Sequence, residues 1–109
     1  MKENFLMATK PPKTYRELKE KYGAFIEAVE TLGHRVRESG PIEAKTAHLI
    51  QLAAAAAIRS EGSVHSHVKR ALDAGASPDE VRHALILLTS TIGFPTVVAA
   101  LTWAGDIMD

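Results

Sequence analysis

Apolar positions recur at spacings of three and four over most of this chain, the pattern of helices that each pack by one face. The first such stripe is Leu18, Tyr22, Phe25, Ile26, Val29, Leu32 and Val36. Thr14 and Glu17 predict a capping box at its start, Gly23 and Gly33 are places where it can bend, and Gly40-Pro41 closes it. From about Ile42 to Ile58, Leu49, Ile50, Leu52 and the run Ala53 to Ala57 predict a central helix, apolar nearly all round. Its small side chains suit close approach of neighbouring helices.

A third helix is predicted from about Glu61 to Ala74, with Val64, Val68 and Leu72 as its core line and Gly75 as its left-handed stop. Ser77-Pro78-Asp79-Glu80 is the clearest local signal: an N-cap serine, proline at the first helical position, and an acid completing the box. Val81, Ala84, Leu85, Leu88 and Ile92 carry that helix to a break at Gly93-Phe94-Pro95. The last helix, running to Asp109, has two apolar faces, Val97/Leu101/Ala104/Met108 and Thr96/Ala99/Ala100/Trp103/Ile107. One face meets the core; the other serves a partner or packs Trp103 under the amino-terminal leader. The whole reads as an all-α, single-domain bundle of about five helices over 13–109, after a flexible leader over 1–12. There is no β alternation and no internal repeat.

Composition narrows the function. Apolar residues make up 46% and charged residues 24% of the 109 positions, an ordinary globular balance. Thirteen Lys and Arg offset thirteen Asp and Glu, so net charge draws the chain toward neither nucleic acid nor an anionic membrane. The same neutrality favours a homo-oligomer, since copies do not repel. Phe5 to Ala8 is too short an apolar run for a signal segment or a spanning helix, which predicts a soluble, cytoplasmic protein. The absence of cysteine excludes disulfides, Cys-ligated zinc and a thiolate nucleophile.

Candidate chemistry concentrates in Ser60-Glu61-Gly62-Ser63-Val64-His65-Ser66-His67. On a helix, Ser60, Ser63 and His67 fall within about 60° of arc, a polar patch beside Val64. His65 projects to the other flank, so His65 and His67 do not chelate one ion from a regular helix, and no metal site is predicted. Ser60 also suits the N-cap of the third helix, and Ser63 another first-turn group. His67 is either a half-buried histidine bonded to a carbonyl or a functional group. His48 and His83 read as structural or interfacial, and His34 as solvated.

Taken together, Gly40-Pro41-Ile42-Glu43-Ala44-Lys45-Thr46, then His67 through Ala76, then Gly93-Phe94-Pro95 resemble the alkylhydroperoxidase D and carboxymuconolactone decarboxylase superfamily. The resemblance covers about Tyr22 to Met108. It places Ser60 and Ser63 where peroxidase-type members carry the cysteines of Cys-x-x-Cys-x-x-x-His, with His67 at the histidine. The upstream glutamate of those members falls on His48, and the glutamate of decarboxylase-type members falls on Ser63.

Because a hydroxyl cannot form the sulfenate and disulfide of a peroxide cycle, thiol peroxidase activity is not expected. The resemblance implies an oligomer, a trimer or a hexamer, and two functional readings. In one, His67 is a general acid or base on a small carboxylated or lactone-like substrate, with Ser63 as its catalytic partner and Ser60, His48 and His65 contacting substrate, a lyase or decarboxylase-like activity. In the other, the chain is a non-catalytic oligomeric binding or scaffold protein derived from an alkylhydroperoxidase ancestor. Neither reading calls for a cofactor.

Overall fold

Helical periodicity with no competing alternation gives an all-α chain. The computed structural model describes residues 12–109, which form seven helices and no strand: α1 (Lys13–Lys21), α2 (Gly23–Glu38), α3 (Ala44–Ala57), α4 (Glu61–Asp73), α5 (Pro78–Ile86), α6 (Thr89–Ile92) and α7 (Phe94–Met108). The leader expected over 1–12 lies, apart from Pro12, outside the described residues. Two of the five expected helices are divided. The first breaks at Tyr22, next to Gly23, where backbone angles of φ −127° and ψ 55° leave the helical region, while Gly33 stays helical. The fourth ends at Ile86, and the short α6 follows it. Thr14 does not cap α1, because the helix starts two residues earlier than such a cap requires, with Pro12 as its N-cap.

The other helix ends follow local chemistry. Ser77 Oγ accepts from the Glu80 amide at 3.0 Å while Glu80 Oε1 accepts from the Ser77 amide at 2.9 Å, the reciprocal capping box at the start of α5. We expect Ser77→Ala to cost about 1 kcal/mol in denaturant unfolding, with no loss of helix content at 20 °C by circular dichroism beyond the first turn. At the end of α4 the Ala76 amide reaches the Ala71 carbonyl at 2.9 Å and Gly75 takes φ +105°, the left-handed stop that glycine accommodates. The α3 end has the same form, with Ser60 N to Ala55 O at 3.0 Å, but Arg59 holds the left-handed position at φ +56°. A non-glycine residue there strains the backbone. The Arg59 guanidinium then donates to Thr96 Oγ1 on α7 at 2.9 Å.

The core lies where α3, α4, α5 and α7 meet. Leu52, Val64, Val68, Val81 and Leu85 are fully buried, and Ala55, Ala56, Ala71, Ala100 and Ala104 let the helix backbones approach closely. On α3 the buried positions are His48, Leu52, Ala55 and Ala56, spaced four, three and one apart, so His48 occupies a core position of that helix. On α4 they are Val64, Val68 and Ala71, which places Ser60, Ser63 and His67 along the flank of the core line. The all-round burial expected of α3 is not complete: Ile50 is 52% exposed, because the helix is covered on one side only. The α2 stripe is likewise turned outward except at Ile26. Tyr15 OH donates to the Glu30 carboxylate, and Lys19 Nζ lies 3.4 Å from it, fastening α1 to α2.

Candidate functional site

His48 from α3 and His67 from α4 meet where these two helices pack, their ring centroids 5.8 Å apart and the planes tilted by 40°. His48 is only 7% exposed. The Nδ1 atoms of both rings are buried without a hydrogen-bond partner among the described residues, as is Gln51 Oε1 one turn along α3 from His48. Three buried polar atoms in one neighbourhood left unpaired is unusual, because each forgoes the hydrogen bonds it made in water.

Two cations bear on this pair. Burial first, then the charge of Arg37, pushes the His48 imidazolium down to about 4, with His67 and Arg70 adding to the shift and Asp73 opposing it. For His67 the order is burial, Arg70 and Arg37, again to about 4. Both rings are therefore neutral at pH 7. Arg37 is itself held below its usual range, by burial and then by the neighbouring charge of Arg70. A neutral imidazole pair thus sits in a field to which two mutually repelling guanidinium groups contribute most, offset in part at His48 by Asp73.

Arg37 and Gln51 also line a cleft of about 240 Å³, walled by Val36, Pro41, Ile42, Ala47 and Ile50. It opens between the end of α2, the turn after it and α3. A second groove of about 410 Å³ runs between α3 and α5 beside Leu49, Ile50, His83, Leu87 and Leu88.

The serines have distinct fates. Ser60 caps α4, its Oγ accepting from the Ser63 amide at 3.3 Å. Ser63 is partly buried one turn before His67 and so shares its face of α4. His65 is on the other flank of the helix, its Nε2 3.2 Å from Asp106 Oδ2 of α7 and 3.9 Å from Glu61 Oε2. The fold thus brings His48 to His67 and carries His65 to a separate cluster. His83 and His34 are exposed.

Several residues of this region are absent from the sequence-based expectation. Arg70 follows His67 by three and Gln51 follows His48 by three, helical spacings that could have revealed them. Nothing in the spacing ties Arg37 to the site, since it arrives from another helix.

Among the described residues no helix is long and apolar enough to cross a membrane. No curated protein matches the chain. The model of the carboxymuconolactone decarboxylase family matches residues 23–106, which takes in α2 through α6, all but the last two residues of α7, and the residues around His48 and His67. With that match over more than half of its length and an all-α fold, this cysteine-free chain belongs to the carboxymuconolactone decarboxylase family.

Proposed function

We propose that this protein acts on a small carboxylated or lactone-like molecule bound beside His67, with the imidazole as the proton-transferring or hydrogen-bonding group and no redox step. The observation that carries this reading is the pair of buried imidazoles with unpaired Nδ1 atoms in the field of Arg37 and Arg70. An anion placed there relieves the repulsion between the guanidinium groups and supplies partners for the orphaned atoms. It also raises the His67 and His48 values toward neutrality, because a nearby negative charge favours imidazolium. Before substrate arrives, the neutral His67 is a poor proton donor; once an anion is bound, it titrates nearer the working pH, where general acid–base catalysis is most effective. Ser63, one turn away on the same face, orients the substrate by a hydrogen bond, and Ser60 holds the start of the helix that carries both.

A scaffold that had given up chemistry would close this region with internal hydrogen bonds. Ser60 does bond internally, but the Nδ1 atoms of the two imidazoles have no partner among the described residues. The discriminating experiment is a thermal-shift panel of small carboxylic acids, lactones and hydroperoxides on the wild type and His67→Gln. A ligand at a hundred times its dissociation constant stabilises the fold by about 2.7 kcal/mol. The expected result is a shift from carboxylates or lactones that grows as pH falls from 7 to 6 and disappears in His67→Gln. A panel without any shift overturns the catalytic reading and leaves the scaffold. The assembly we propose is a homo-oligomer, trimer or hexamer, built on the outward stripe of α2.

A further inference from the structure

Away from the imidazole pair, three side chains from two helices converge on one point. Glu61 and His65 stand one turn apart on α4, and Asp106 faces them from α7, which packs along α4. One donor atom from each lies within 4.8 Å of the other two. His65 Nε2 is the shared member, 3.2 Å from Asp106 Oδ2 and 3.9 Å from Glu61 Oε2.

One histidine proton serves only one of the two carboxylates at a time, since Nε2 carries at most one hydrogen, and the other exposed carboxylate is left to water. A cation bound by all three engages both at once. The spacing fits it: two ligands held at 2.0–2.1 Å on a tetrahedral ion stand about 3.3 Å apart. The 3.2 Å separation already matches, and the exposed Glu61 needs only a small side-chain adjustment to close from 3.9 Å. One imidazole nitrogen with two carboxylate oxygens is a donor set for a borderline divalent ion rather than for the all-oxygen cages of Ca²⁺ or Mg²⁺. We infer that Glu61, His65 and Asp106 form a surface site for a divalent first-row transition ion such as Zn²⁺, which clamps the first turn of α4 to α7. The half-exposed position leaves the remaining coordination to water or to a ligand.

Isothermal titration of Zn²⁺ into the chelator-stripped, full-length protein tests this, with Co²⁺ absorption as a second readout of ligand type. One ion per chain is expected, with a rise in Tm that chelator reverses. Affinity is expected to fall at least about tenfold in His65→Ala and in Asp106→Asn and to persist in His83→Ala. Asp106 is exposed, so its substitution keeps the test open should His65→Ala fold poorly. No binding by the wild type overturns the proposal, as does binding that survives Asp106→Asn or that is lost with His83 instead.

Discussion

Acidification from pH 7 to pH 5 is expected to destabilise this protein by up to roughly 2 kcal/mol for each ring of the His48–His67 pair, before most carboxylates titrate. The sign follows from the direction of the shift. Both imidazoles have values near 4 in the fold against 6.5 in an unfolded chain. Between those limits the unfolded chain binds protons that the native protein refuses, so stability is complete above pH 6.5 and declines as pH falls toward 4. Denaturant unfolding at the two pH values, at one protein concentration, measures the loss. His48→Gln/His67→Gln is expected to flatten the pH slope whatever its own stability at pH 7. An unchanged slope in that double variant would show that the rings take up protons without opening the fold.

The same pair links this stability effect to function. A bound anion that lifts the imidazole values toward neutrality also removes the acid penalty, so a true ligand protects most at the lower pH. A molecule that merely fills the neighbouring cleft protects equally at both.

What could be read ahead of the structure was the local chemistry. Ser77-Pro78-Asp79-Glu80 and Gly75 set their helix ends through groups within a few residues, and both ends stand where the spacing put them. His48, which the resemblance aligns with the glutamate of the peroxidase-type members, lies against His67 in the fold. The remainder depends on contacts distant in sequence. Arg37 acts on the imidazoles by its charge from α2, and Asp106 meets His65 across 41 positions, neither of which leaves a periodic trace. The left-handed Arg59, at φ +56°, gives no signal either, since arginine is not a residue that marks such a turn.

The α2 stripe shows most clearly how a correct pattern still withholds its partner. Periodicity identifies an apolar face but not what covers it. Within one chain Tyr22, Phe25, Val29, Leu32 and Val36 are between 47% and 62% exposed, while Ile26 alone on that helix is buried. Their spacing alternates three and four over two heptads, the seam by which helices pack on other helices. A folded monomer rarely leaves so long an apolar line in water. With no net charge to keep copies apart, the occupant we propose is a second copy of the chain. Light scattering on the wild type is expected to give a multiple of 11.8 kDa, and Phe25→Glu/Leu32→Glu to run as a single chain with its helix content intact. A wild type that is already monomeric would refute the assembly. The two properties are also joined, because Arg37 follows Val36 directly and its position depends on how α2 is held. Among the described residues α2 packs chiefly on α1, and we propose that an oligomer seam along the stripe helps to hold Arg37 where its charge acts on the imidazoles. The monomeric double variant should therefore lose most of the ligand-induced thermal shift as well, although neither substituted residue is in the site. Retention of the full shift by that monomer would separate assembly from binding and leave Arg37 positioned by its own chain.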